Sequence, residues 1–368
     1  MPPTVTPARV VFNGRFLAQP HTGVQRYALE TLRALDALLA AAPARLLRAH
    51  YELALPDGAT VPAMSAVRTA HVPGHASHRW EQWPLLRHAR GAFLVNFSYS
   101  GPWLKRSQLV TVHDATARVM PETFSRGYRW FHDASVGLLG RSARSLMTVS
   151  HFSRDELRRH FGLLRSDIVV GVEGGEHACS RADDDAVLRR HGLVPRGYVL
   201  SVGSEKPNKN FGILGSAVAL LPQFPWPVAV AGARDIGIFR GAAVRADGFR
   251  FLGFVPDEDL PALYRQAACF VLPSLYEGFG LPAVEAMAND CPVLAARAAS
   301  LPEVCGDAAL YFDPRDPASV AAQLQRMATE PGLREQLQAA GRERLRQYNW
   351  DTNARILLEH LDTLGVTG

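Results

Sequence analysis

Short apolar runs punctuate the chain, each followed by a polar or glycine-bearing loop and then by a stretch with helical spacing. In the first half the runs are VVFNGRFL (within Arg9–Leu17), AFLVNF (92–97), QLVTVHD (108–114), SLMTVS (145–150) and DIVVGV (167–172). Short continuous apolar runs of this kind predict parallel strands buried on both faces. Val24–Leu39 has helical spacing, and TVSHFSRDELRRHFG predicts a strand end, a serine cap at Ser150 or Ser153, and a helix that stops at Gly162. The alternation breaks at 173–195, a polar stretch with Gly174, Gly175 and Pro195, and then restarts. YVLSVG (198–203), PVAVAG (227–232), FRFLGFV (249–255), CFVLPS (269–274), PVLAA (292–296) and ALYF (309–312) predict six more strands. The pattern gives an α/β class with two doubly wound parallel sheets, the first domain at 1–175 and the second starting at 176.

Composition adds limits. The 368 residues suit two domains rather than one core. No run of eighteen apolar residues is present, and the first residues lack a basic start followed by an apolar stretch, so neither a spanning helix nor a secretion signal is expected. Cys179, Cys269, Cys291 and Cys305 are scattered without a CxxC pair, which fits a reducing cytoplasm and not a disulfide framework or zinc site. Charge is uneven. Residues 1–175 hold 21 Arg and Lys against 12 Asp and Glu, a net of +9, whereas 176–368 hold 19 against 23, a net of −4. A basic first half suggests an anionic partner there: a membrane surface, a phosphate-bearing substrate or a nucleic acid. An arginine-rich genome accounts equally well for the bias, since 37 of the 40 cations are arginine. That bias makes the few lysines informative, and Lys206 and Lys209 lie close together.

Ligands of open parallel sheets bind beyond the strand carboxyl ends, so four stretches carry the candidate chemistry. In CFVLPSLYEGFGLPAVEAMAND (269–290), Glu277 sits in the loop and Glu285 about one turn into the helix. Gly278 and Gly280 permit close backbone approach, and the helix start offers N–H groups to an anion. A carboxylate beside an anion site needs hydroxyl partners to be tolerated, so the stretch suits a molecule with both phosphate and sugar. In SVGSEKPNKN (201–210), Lys209 can put an ammonium on a diphosphate. This is not a Walker A loop, because the GK[ST] ending is absent. In FNGRFLAQPHTGVQRYALE (12–30), Gly23 opens a helix, and Arg26 reads either as a ligand group or as a helix-surface charge. In VTVHDATARVMPETF (110–124), His113 and Asp114 follow a strand.

Taken together and in this order, these stretches resemble a retaining glycosyltransferase of family 4 with the GT-B fold, in which two Rossmann-like domains face a cleft. The most specific element is E-G-F-G-L-P-x-x-E-A-M, and TGVQRY, VHD and the lysine-asparagine of PNKN match a subgroup that builds bacterial surface polysaccharides, mannosyltransferases among them. The resemblance implies that Glu285 binds the ribose diol of a nucleotide-diphosphate sugar and Glu277 the hydroxyls of its sugar. It implies that Gly278, Phe279, Gly280 and Leu281 bring backbone amides to the sugar and diphosphate, and that Lys209 neutralises the diphosphate. His113 would contact the sugar near its reacting face, with Asp114 beside it, and Gly23 would let its loop close over the phosphates. Val255 and Asp257 of GFVPDEDL would hold the nucleobase, and Asp257 leans the choice towards GDP-mannose through guanine N–H groups. YNWDTNARILLEHL would be a terminal helix, in a 347–368 segment that crosses back onto the first domain and ends the second at 346.

One departure matters: Ser204 follows Gly203 where many relatives provide an arginine beside the lysine, so a second cation is missing or comes from elsewhere, with Arg234 the candidate. No DxD-like pair stands where a metal-bridged diphosphate would need it, so no metal or other cofactor is expected. The expected acceptor is a glycan or a polyprenyl-diphosphate-linked glycan at the inner membrane face. Arg126, Arg129, Arg141 and Arg144 among aromatics in 125–145 suit peripheral contact with anionic lipid. Nucleic acid is not expected, for want of an aromatic–basic recognition motif. Two alternatives stay open: a nucleotide-sugar 2-epimerase of the same fold, and a non-catalytic nucleotide-binding partner subunit.

Overall fold

The computed structural model describes residues 7–164, 167–179, 184–232 and 248–367. The chain divides into two compact units, Met1–Val172 with Trp350–Gly368, and Glu173–Asn349.

Among the described residues the first unit is built on seven strands: β1 (Ala8–Asn13), β2 (Ala49–Asp57), β3 (Arg68–His75), β4 (Phe93–Asn96), β5 (Gln108–Thr111), β6 (Ser145–Thr148) and β7 (Ile168–Val170). All pair in parallel, in the order β3-β2-β1-β4-β5-β6-β7. β4, β5 and β6 are buried along their whole length, as the continuous apolar runs require. The predicted first strand is shorter than expected. It stops at Asn13, whose side chain accepts from the Arg15 N–H and starts a 3-10 turn at Gly14–Ala18. β2 and β3 were not among the predicted strands. Their sequences, AHYELALPD and RTAHVPGH, mix polar and apolar positions: β3 is an edge strand with much of its length in water, and the interior β2 is interrupted by His50, Glu52 and Asp57.

The helix Gly23–Ala41 packs under the sheet beside the helix Trp350–Thr363. Asn353, fully buried, fastens that second helix: its Nδ2 donates to Thr31 Oγ1 at 2.8 Å, and its Oδ1 accepts from the Val172 N–H at 3.1 Å. The terminal helix thus belongs to the first unit. Ser150 caps His151–Phe161 by accepting from the Ser153 N–H, and Gly162 ends it in the left-handed region at φ 62°.

Among the described residues the second unit carries six parallel strands, all at predicted places: β8 (Val199–Val202), β9 (Val228–Ala231), β10 (Phe249–Gly253), β11 (Cys269–Leu272), β12 (Val293–Ala296) and β13 (Ala309–Phe312). Their order is β10-β9-β8-β11-β12-β13. One continuous apolar core joins the strands to the helices on both faces. Both sheets change direction of strand addition beside their first strand, between β1 and β4 in one unit and between β8 and β11 in the other. Loops leaving adjacent strands there part to opposite faces, which opens a crevice at the carboxyl ends.

Candidate functional site

In the second unit the loop after β8 carries Lys209 and the loop after β11 carries Glu277. The two side chains meet across the switch point, Lys209 Nζ donating to Glu277 Oε1 at 2.6 Å. Neither is sealed: the side chains remain 17% and 12% exposed. The loops are stapled by backbone. Leu275 N–H donates to the Asn208 carbonyl at 2.8 Å, and Asn208 Nδ2 returns a bond to the Tyr276 carbonyl at 3.2 Å. Asn210 adopts the left-handed region at φ 54°, which its short side chain tolerates, and its Nδ2 donates to the carbonyls of Pro273 and Pro314 at 3.1 and 2.8 Å. Both asparagines of PNKN therefore hold the lysine loop against the glutamate loop.

The turn between Glu277 and the helix Leu281–Ala288 is equally fixed. Ser300 Oγ lies 2.9 Å from the carbonyl oxygens of both Glu277 and Phe279. Gly280 has φ 102°, and a Cβ there would lie 2.5 Å from Leu301 Cδ2, so glycine is required on two counts. Phe279 is buried edge-on to Tyr348, with ring centroids 5.4 Å apart. The buried Gly278, Phe279, Gly280 and Leu281 thus present backbone with little freedom to move.

Glu285, on that helix, is held at both oxygens. His177 Nε2 stands 3.0 Å from Oε1, and the hydroxyl of the fully buried Tyr264 donates to Oε2 at 2.9 Å. Burial, reinforced by the Glu285 charge, pushes the Tyr264 hydroxyl well above its ordinary range, so it keeps its proton and remains a donor. The carboxylate is still 12% exposed. Neither His177 nor Tyr264 was singled out from sequence. Tyr264 reads as core within LPALYRQ, and His177 lies in the polar break between domains.

Of the remaining candidates in this unit, Gly203 and the exposed Ser204 follow β8, the buried Val255 belongs to the core, and the exposed Asp257 follows β10. Arg234 lies outside the described residues.

The first unit holds the other four. His113 follows β5, its Nε2 donating to the Phe97 carbonyl at 3.0 Å, with the ring edge-on to Tyr27 at 4.7 Å. A carbonyl can only accept, so in the neutral imidazole the proton is on Nε2 and Nδ1 is an acceptor. Asp114 Oδ1 accepts from the Thr116 N–H at 2.7 Å and so starts the short helix Thr116–Val119. Arg26 sits 3.4 Å from Glu30, which also pairs with Arg33 at 2.9 Å. Gly23 opens its helix with nothing within 4 Å of where a Cβ would sit, so its own unit does not demand glycine.

This arrangement offers a cation, two partly exposed carboxylates, and a fixed helix start, all at strand carboxyl ends. The chain as a whole is similar to known proteins. The family described as glycosyl transferases group 1 matches residues 188–344. The O-antigen chain mannosyltransferase B of Escherichia coli is 32% identical over 383 aligned positions, which cover 93% of this chain and 96% of that protein. Among solved structures, sucrose-phosphate synthase from Thermosynechococcus elongatus superposes with a TM-score of 0.76 at 18% identity, covering 98% of this chain and all of that one. Anabaena HepE in complex with UDP-glucose gives 0.68 at 17% identity, covering 96% and 99%. The two parallel-sheet units are those of the GT-B fold. The chain belongs to the group 1 glycosyltransferases, in the family of the O-antigen mannosyltransferases.

Proposed function

We propose that this chain transfers mannose, with retention and without a metal, from a nucleotide-diphosphate sugar to a glycan or lipid-linked glycan in surface-polysaccharide synthesis. GDP-mannose is the favoured donor, supported by the mannosyltransferase at 32% identity and by the exposed acceptor Asp257 after β10. The single observation that carries the reading is the 2.6 Å Lys209–Glu277 pair at the switch point.

In this scheme Lys209, with three N–H donors, keeps one on Glu277 and turns others to the diphosphate. The second oxygen of Glu277 accepts from sugar hydroxyls, and Glu285 accepts from the ribose diol. The acceptor oxygen forms a bond to the anomeric carbon while the bond from that carbon to the diphosphate oxygen breaks. The electron pair leaves with the diphosphate, and the acceptor's proton passes to the departing oxygen. Negative charge on the diphosphate rises during this step, so the Lys209 ammonium and the backbone N–H groups at Leu281 act most strongly in the transition state. The arginine-rich first unit takes the anionic acceptor, and the protein works at the inner face of the cytoplasmic membrane.

The test is a transfer assay with GDP-mannose, UDP-glucose and a dTDP-sugar, run with EDTA, reading the product's anomeric configuration by NMR. The reading expects mannose transfer from GDP-mannose, α-configured like the donor and unaffected by the chelator. A donor-only reaction that yields a 2-epimerised nucleotide sugar would replace it with the epimerase reading.

A further inference from the structure

The helix Arg126–Ser142 of the first unit buries His132, Ser135, Val136, Leu139 and Gly140, an ordinary inward stripe. Its outer stripe is unusual. At spacings of three and four it runs Trp130, Ala134, Gly137, Leu138, Arg141, with Trp130 70% and Leu138 50% exposed. A helix that met only water would gain nothing from a tryptophan and a leucine there. Ala134 and Gly137, lacking bulk, leave an open cavity of about 610 Å³ beside them, with Leu138 on its wall.

The polar lining is cationic. Arg106 is exposed, and its guanidinium makes no hydrogen bond or ion pair among the described residues. Arg141 donates to the carbonyls of Gly137 at 2.9 Å and Phe161 at 3.4 Å, which leaves part of its five-donor fork unspent. Ser142 Oγ, buried at the cavity wall, has no partner among the described residues. The one lining carboxylate, Asp133, is offset by Arg118 at 3.2 Å. Two guanidiniums and an unpaired hydroxyl over an apolar floor match a phosphate that continues into hydrocarbon.

We propose that this cavity seats the phosphate of an anionic membrane lipid, with Trp130 and Leu138 entering the headgroup–acyl boundary beside it. Contact of this kind is peripheral: no helix among the described residues is long and apolar enough to cross a membrane. The site is distinct from the sugar site. Arg106 precedes β5 and Ser142 precedes β6, so the cavity lies by the amino ends of those strands, whereas the transfer chemistry is placed at carboxyl ends. The proposal rests on the reading of the first unit as the one that meets a membrane-held acceptor, and it specifies the residues that do so.

The test is sedimentation of the full chain with phosphatidylcholine vesicles, with and without phosphatidylglycerol, alongside mannosyl transfer to a water-soluble acceptor. Each basic residue near an anionic surface is worth about five-fold in partitioning, so Arg106→Gln with Arg141→Gln should lower binding to phosphatidylglycerol vesicles roughly 30-fold. Arg106→Gln alone should lower it about five-fold. That variant guards against misfolding, since the Arg106 guanidinium holds nothing in place among the described residues and the backbone bonds of its carbonyl to Gln108 and Arg144 survive the change. Trp130→Ser should weaken binding as well, and transfer in solution should be unchanged in all three. Equal partitioning of wild type and variants, or equal binding to neutral vesicles, overturns the proposal. So does stabilisation by inorganic phosphate together with loss of vesicle binding at millimolar phosphate, which would make this a site for soluble phosphate. Loss of transfer with vesicle binding intact would strike the transferase reading and leave the lipid site standing.

Discussion

Each unit places a charge pair at the switch point of its sheet, and the two pairs are finished differently. In the first unit Arg15, just after β1, meets Glu81 at 2.9 Å, with side chains only 10% and 1% exposed. Glu81 Oε1 also accepts from Asn13 at 2.9 Å and Ser100 at 2.8 Å, and Oε2 faces His78 at 3.0 Å. Asn13 and Asn96, which end β1 and β4, bond each other as well. In the second unit Lys209 and Glu277 hold one bond between them and keep some access to solvent. The first pair is sealed by its neighbours and fixes a fold. The second retains capacity to bind, although it occupies the same topological place. Position at a strand end is therefore not enough to mark a site; open lone pairs and unspent donors are.

Substitution should separate the two pairs, most strongly at the carboxylates. Glu277→Gln should cost on the order of 10²-fold in mannosyl transfer while changing stability by no more than about 1 kcal/mol, as expected of a partly exposed pair. Glu81→Gln should do the reverse, destabilising the first unit by about 3–5 kcal/mol by stranding Arg15, as chemical denaturation would report. Equal stability losses would erase the distinction. The pH dependence sharpens it. Burial raises the Glu81 pKa, but the hydrogen bond from His78, the Arg15 charge and Asn13 outweigh it, and the carboxyl titrates below its ordinary value of 4.5. A depressed carboxyl stabilises above its unfolded pKa, and that contribution disappears as pH falls through the folded one. The stability gap between wild type and Glu81→Gln should thus be full above about pH 4.5 and close in stronger acid.

Smaller effects probe the support of the second site. Gly280→Ala meets both a positive φ and Leu301, so it should cost about 1–3 kcal/mol and raise the donor KM by displacing the helix start. Glu285→Ala should raise the donor KM by about 10- to 150-fold, the equivalent of roughly 1.5–3 kcal/mol for a charge-assisted bond, with kcat much less affected. Tyr264→Phe should raise it less, because His177 still holds the carboxylate. Gly23→Ala should change stability by less than about 0.5 kcal/mol, since its Cβ meets nothing. A raised donor KM in that variant would mean that the glycine serves the ligand and not the fold.

The sequence exposes these features unevenly, for physical reasons. The four inner strands of the second unit, β8, β9, β11 and β12, are legible because both of their faces are buried, which writes continuous apolar runs, and the edge strands β10 and β13 stay legible because they remain mostly apolar. β3 is not, because an edge position lets polar residues into the pattern, and β2 is not, because His50, Glu52 and Asp57 interrupt its apolar run. Glu277, Glu285 and Lys209 stand out as charges directly after apolar strands. Their fixings do not: His177 and Tyr264 reach Glu285 from 108 and 21 residues away, contacts that no local spacing encodes. The Arg15–Glu81 pair, 66 positions apart, is hidden for the same reason.

The most direct measurement is the steady-state kinetics of mannose transfer from GDP-mannose by Lys209→Ala. A fixed cation that stabilises the departing diphosphate should be felt in turnover, so kcat is expected to fall about 10²- to 10³-fold while KM moves far less. Wild-type kcat in that variant would contradict the account.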